Sequence, residues 1–178
     1  MGRDAHHRRE TTRRMRDMRN GLNLRWAEVE EVEPLAQMWR AAWRDGHLGH
    51  VPEALVTQRT PELFVQRARD NLARMKVAGP VGRPLGLCIV DEDQLYQLFV
   101  AAEARGTGLA GLLLRDAETR MAEDGVRRAW LKCAVGNARA AAFYRRNGWE
   151  LERTAETRFG QEVGDGIPVA TWVFAKTL

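Results

Sequence analysis

Residues 105–114 read Arg-Gly-Thr-Gly-Leu-Ala-Gly-Leu-Leu-Leu, a glycine-studded loop that runs directly into an apolar helical pattern. Glycine takes left-handed backbone conformations that other residues avoid, and it lets backbone N–H groups approach a ligand closely. The start of a helix adds unpaired N–H groups and a partial positive charge. Such a segment is a cradle for a phosphate or pyrophosphate. Apolar strand patterns flank it, Gln94 to Val100 before and Arg128 to Ala134 after. A strand, a helical crossover and a second strand in one sheet run parallel. Any fold for this chain must therefore contain one parallel step with an anion cradle at its C-terminal end.

The remaining elements follow from periodicity and caps. Leu24 to Val29 alternates and reads as a strand. Pro34 begins a helix to about Arg44, with Leu35, Met38, Trp39 and Ala42 on one face. Gly46 to Pro52 reads as a loop. Thr60-Pro61-Glu62 is a helix start, with Thr60 as N-cap, and that helix runs to about Arg74. Met75–Ala78, Leu85–Val90 and Gln94–Val100 are the next strands, the last two joined by an Asp91-Glu92-Asp93 turn. A helix from about Thr107 to Glu123 stops at Gly125, and Asn137 caps another that ends at Asn147-Gly148. Trp149–Thr157 and Val169–Ala175 are the last strands, joined by the Gly160–Gly166 loop. This order predicts an α/β (mixed α+β) fold: a mixed, mostly antiparallel sheet of six to seven strands with helices on both faces.

Two phosphate motifs compete for the loop. Gly106-x-Gly108-x-x-Gly111 is literally the dinucleotide fingerprint. However, Ala101 to Arg105 separate it from its strand. Where an acidic ribose ligand is expected, the chain reads Trp130-Leu131-Lys132-Cys133. Only 67 residues follow Gly111, too few for the rest of a doubly wound domain. No Gly-Lys-Ser/Thr follows either, so the loop is not a P-loop.

At these residues the chain resembles the GNAT superfamily of N-acetyltransferases. Its Gln/Arg-x-x-Gly-x-Gly/Ala signature is met by Arg105, Gly108 and Ala110. Its second motif, Asn-x-x-Ala-x-x-Phe-Tyr followed by Gly-aromatic, is met by Asn137, Ala140, Phe143, Tyr144 and Gly148-Trp149. The resemblance is specific from about Leu85 to Trp149. It implies acetyl-CoA as co-substrate, with pantetheine in a gap between two strands along Leu98 and Val100, and pyrophosphate on Arg105, Gly106, Thr107, Gly108, Leu109 and Ala110. It implies that Asn137 holds the pantetheine arm and that the Tyr144 hydroxyl is a general acid to the leaving thiolate. The alternative for Tyr144 is a core aromatic. Arg139 is a candidate phosphate contact or a solvated helix residue. Many members carry a carboxylate base near Tyr96 and Gln97, and this chain does not. His47, His50 or a water chain are the candidate bases, an imidazole being suited to proton transfer near neutrality. Trp43 is a candidate for the acceptor site. Many members are dimers, so a homodimer is among the expected assemblies.

Composition sets the outer bounds. The chain has 178 residues, 44% hydrophobic and 29% charged, the balance of a globular protein. No segment has the run of apolar residues needed to span a membrane, and the N-terminus lacks an apolar signal core; a cytoplasmic location is expected. Residues 1–20 hold seven arginines against Asp4, Glu10 and Asp17, while the rest balances at 21 basic and 21 acidic residues. Residues 1–22 therefore read as a basic, flexible tail and 23–178 as one domain. The tail can touch nucleic acid or an acidic partner, but a solvated arm is the reading adopted, and nucleic acid is not an expected partner. Cys88 and Cys133 read as buried thiols, and no metal-ligand spacing is present. Three functions follow: acetylation of a small-molecule amine, acetylation of protein lysines or N-termini, and non-catalytic acyl-CoA binding.

Overall fold

The computed structural model describes residues 23–160 and 165–178. The basic segment 1–22 and residues 161–164 of the last loop lie outside the described residues. Seven strands form one sheet: β1 (Leu24–Trp26), β2 (Met75–Ala78), β3 (Gly86–Asp91), β4 (Gln94–Val100), β5 (Arg128–Ala134), β6 (Glu150–Phe159) and β7 (Ile167–Thr177). Their spatial order is β1-β2-β3-β4-β5-β7-β6. All pairs are antiparallel except β4 with β5. The mixed, mostly antiparallel sheet expected from the sequence is thus present.

Among the described residues five α-helices cover it: α1 (Val32–His47), α2 (Glu53–Gln58), α3 (Pro61–Asn71), α4 (Leu109–Glu123) and α5 (Ala138–Arg146). Strand alternation divides the core between the two faces. Leu87 and Ile89 of β3 point to a cluster with Leu35, Trp39 and Phe64 of α1 and α3. Cys88, between them, points to the opposite cluster with Leu113, Ala117, Tyr144 and Trp149. Trp39 and Phe64 are fully buried and meet edge to face, with centroids 5.7 Å apart at 75°. Such a pair contributes about 0.5–1.5 kcal/mol beyond its area burial.

Caps set the boundaries. The Thr60 side chain accepts from the Leu63 N–H, and the Asn137 side chain accepts from the Ala140 N–H. Gly106 and Gly108 both take left-handed backbone angles (φ 75° and 87°), which delays the start of α4 from the expected Thr107 to Leu109. The first helix is longer than expected and includes Asp45, Gly46 and His47. Gly46 does not end it, because its carbonyl is bonded by the Asn137 amide at 2.9 Å. Residues 53–58, inside no expected element, form α2.

One device fixes the β1 edge. The Glu31 carboxylate is fully buried between β1 and α1. It accepts from both terminal nitrogens of Arg25 (Nη2–Oε1 2.8 Å) and from the Glu28 N–H at 3.0 Å. Burial alone would raise its pKa, but the Arg25 and Glu28 bonds outweigh that and hold it below the usual carboxylate range.

Candidate active site

The parallel step opens the sheet. β4 pairs with β3 along its whole length but with β5 only at Gln94↔Trp130. The Trp130 N–H donates to the Asp93 carbonyl (3.1 Å) and its indole N–H to the Asp93 carboxylate (2.8 Å), which pins the closed end. From Leu95 to Val100 the β5-facing backbone of β4 has no strand partner. β5 instead turns its full length to β7.

Two cavities meet in the resulting gap. One, of about 450 Å³, is lined by Val100, Arg105, Gly106, Gly108, Leu109 and Ala110 on one side and by α5 on the other. The second, of about 280 Å³, extends between β4 and β5 toward α1, α3 and the β6–β7 hairpin. His47, Leu98, Phe99, Asn137, Ala140 and Tyr144 line both, so the two cavities adjoin at these residues.

The loop is built to receive an anion. Among the described residues, the N–H groups of Gly106, Thr107, Gly108, Leu109 and Ala110 donate to no protein acceptor. A Cβ placed on Gly106 or Gly108 would meet nothing within 4 Å, so this face is open. The Thr107 hydroxyl donates to the Ala104 carbonyl at 2.6 Å and fixes the loop, but Thr107 does not line the cavity. Arg105 and Arg139 flank the cavity mouth. Both bond the same Oδ2 of Asp45, at 2.8 and 2.7 Å. The bond from Arg139, with the charges of both arginines, holds the Asp45 carboxyl below its ordinary range.

Tyr144 lies at the junction. It is 9% exposed, packed between Trp149, Phe174 and Phe143, and its hydroxyl has no hydrogen-bond partner among the described residues. Burial pushes its pKa above the ordinary value of 10, so the hydroxyl stays protonated. His47 lies across the junction. It is the last residue of α1 rather than part of the following loop. Its ring stacks on Trp43 at 4.8 Å, nearly parallel, and Nδ1 lies 2.9 Å from the Trp43 carbonyl. A carbonyl only accepts, so Nδ1 carries the proton and Nε2 is left with its lone pair. Burial lowers the His47 pKa from 6.5 to about 4; the bond to Trp43 opposes this, and Arg59, His50 and Arg67 add to it. The imidazole is therefore neutral at pH 7. His50 lines neither cavity; it is exposed and lies against Gly136.

Asn137 joins the two halves. Its carbonyl oxygen caps α5, and one amide N–H bonds Gly46 of α1. A primary amide has two N–H donors, so one remains for a ligand. Cys133 and Cys88 are buried, their pKa values pushed up by burial to about 11 and about 12. Neither is a thiolate at neutral pH.

The sequence reading missed Asp45, Arg59, Arg67 and Lys132, although the last three line the inner cavity. Arg67 had a usable signal: it follows Phe64 by three residues and so shares the inner face of its helix. Asp45 had none, since its partners are 60 and 94 residues away.

A sheet split at its parallel step, with open N–H groups at one mouth and a neutral imidazole and a protonated tyrosine lining both cavities, fits an acyl-CoA-dependent N-acyltransferase. The model of the Acetyltransferase (GNAT) family matches residues 22–149, and the chain belongs to that family. Acetyl-CoA is its co-substrate. A GCN5-related N-acetyltransferase from Rhodopseudomonas palustris is similar in structure (TM-score 0.70, 18% identity, 88% of this chain and 95% of that one). So are the PaiA N-acetyltransferase from Thermoplasma acidophilum in complex with coenzyme A (0.65, 21%, 88% and 98%) and the ribosomal-protein-alanine N-acetyltransferase from Brucella melitensis (0.65, 22%, 88% and 99%). No curated protein matches the chain. No helix among the described residues is long and apolar enough to cross a membrane.

Proposed function

We propose that this enzyme transfers the acetyl group directly from acetyl-CoA to the primary amine of a small molecule. The observation that carries the reading is that the two cavities adjoin, with His47 and Tyr144 lining both. The outer cavity, with its free N–H groups, suits the pyrophosphate and pantetheine. The inner cavity of about 280 Å³ suits a small acceptor, being near the lower end of the ~300–1,000 Å³ of small-molecule sites. Asn137 and the β4 backbone at Leu98 and Val100 would pair with the pantetheine amides.

The chemistry then follows from the protonation states. The amine nitrogen attacks the thioester carbonyl, and Nε2 of His47 takes the proton it sheds. The Val100 N–H is our assigned donor to the carbonyl oxygen as it gains charge. Tyr144 gives its proton to the departing thiolate, which its raised pKa permits only as negative charge builds on sulfur. Transfer is direct, because both cysteines are held as inert thiols. His47 is preferred to His50 as the base because only His47 faces the junction.

A second reading is acetylation of protein N-termini, since a similar structure is a ribosomal-protein-alanine N-acetyltransferase. Calorimetric titration with acetyl-CoA, followed by thiol release across free amines and N-terminal peptides, separates the two. Turnover of free amines supports the proposal. Turnover of peptides alone replaces it with the second reading, and absence of acetyl-CoA binding overturns both.

A further inference from the structure

The inner cavity has an unusual charge. Arg59, Arg67, Lys132 and Arg158 line it, and among the described lining residues there is no aspartate or glutamate. Arg67 is the most telling of the four. It projects from the inner face of α3 and is partly buried. Its guanidinium carbon lies 4.6 Å from the Trp39 ring centroid and 5.7 Å from that of Phe64. Its Nη2 donates to the Tyr96 hydroxyl at 3.3 Å. Among the described residues it forms no ion pair, so its partners are two rings and a neutral hydroxyl. A guanidinium drawn out of water without a counter-charge is unfavourable, and an anionic ligand relieves that cost.

From this cluster we infer that the acceptor amine also carries a carboxylate, bound by Arg67 with Arg59 and Lys132 around it. The inference rests on the small-molecule reading above. Phe99 links the two ends of the pocket: its centroid is 6.3 Å from Trp39, beneath Arg67, and 6.1 Å from His47. An amino acid would then place its carboxylate on the planar fork of Arg67, which accepts carboxylates in two-bond geometry, and its amine toward His47. The same field disfavours other acceptors. A diamine or a lysine side chain brings only positive charge and meets no acid among the described lining residues. Cations around the pocket also lower the pKa of a bound ammonium, which frees the lone pair that must attack.

The test uses the full chain, acetyl-CoA and matched acceptors: free amino acids, their carboxamides and 1,4-diaminobutane, scored by thiol release. A charge-assisted pair of this kind predicts kcat/KM for the acids about 10–100-fold above that for the amides. Arg67→Gln should compress the acid-to-amide ratio toward one, and Arg67→Lys should restore part of it. Acetyl-CoA affinity reports that the variants are folded. Equal turnover of acids and amides, or an unchanged ratio in folded Arg67→Gln, overturns the inference and leaves the small-molecule reading standing. Turnover of no free amine, with acetyl-CoA bound, overturns both.

Discussion

Replacing Asp45 by Asn should tighten acetyl-CoA binding. The Asp45 carboxylate holds Arg105 and Arg139 at 2.8 and 2.7 Å, across the mouth of the phosphate cradle. A pyrophosphate or nucleotide phosphate must compete with it for both guanidinium groups. The three side chains are 45%, 34% and 62% exposed, so each pair is a surface pair worth about 0.2–1 kcal/mol. Releasing both removes about 0.4–2 kcal/mol of competition, or roughly a 2–30-fold gain in affinity at 1.4 kcal/mol per tenfold. Asn is the right replacement because it keeps the shape and loses the charge. At pH 7 the wild-type carboxyl is fully ionised, since its pKa is depressed below the ordinary value, so the full competition operates there. Calorimetry at low and high salt is the assay. The gain should be largest at low salt and shrink as screening weakens the surface charges. Unchanged affinity at low salt would mean that neither arginine reaches a phosphate. Weaker binding would mean that Asp45 pre-orients them, the opposite of the competition argued here.

Tyr144→Phe should lower kcat by about 10²–10⁴-fold, the usual contribution of a positioned proton donor. Melting temperature should move little, because the hydroxyl bonds no described residue; a variant with wild-type kcat refutes the donor role. With His47 as the base, activity requires its neutral form, which is lost only as pH falls through about 4. Once the fraction of neutral amine is divided out, the acid limb of kcat/KM should then lie well below 6.5, and a limb near 6.5 that vanishes in His47→Gln contradicts the burial argument. Arg25→Met strands the buried Glu31 carboxylate and should cost about 3–5 kcal/mol, toward the lower figure since Arg25 is 24% exposed. Because the Glu31 pKa is depressed, the stability this pair supplies is present above the unfolded carboxylate pKa and lost as pH falls through the folded one. Urea melts at pH 7 and at about pH 3 check both signs: a variant as stable as wild type at pH 7 refutes the pairing argument.

What was legible in the sequence was local. The glycine loop, the Asn137 and Thr60 caps and the alternating strands each write their conformation into adjacent residues, and with the single parallel crossover they determine the sheet. Of the candidate-site residues named from the sequence, Arg105, Gly106, Gly108, Leu109, Ala110, Asn137 and Tyr144 lie on those same elements and line the outer cavity. Where the site depends on packing between distant segments it was not legible. Gly46 looks like a helix stop, but the amide of Asn137, 91 residues away, takes its carbonyl and the helix runs on to His47. That extra turn moves His47 from a loop to the junction, where stacking on Trp43 and burial change its charge state. The spacing of Arg67 from Phe64 puts it on the inner face of its helix, but its partners Trp39 and Tyr96 come from distant segments.

The electrostatics of the two cavities answer one question left by the missing carboxylate base. Among the described residues, neither cavity is lined by an acid, while Arg105, Arg139 and Arg146 line the outer one and Arg59, Arg67, Lys132 and Arg158 the inner one. A carboxylate base near Tyr96 or Gln97 would pair with Arg67 and cancel the field. A neutral histidine does not, because it carries no charge until it takes the proton of the amine. On the proposed assignment, positive surroundings draw in an anionic donor and an anionic acceptor, push the acceptor ammonium toward its neutral form and stabilise the thiolate as it leaves, while they oppose protonation of His47. If His47 is the base as proposed, basicity is given up at one atom, and the cationic lining compensates by making the amine easier to deprotonate.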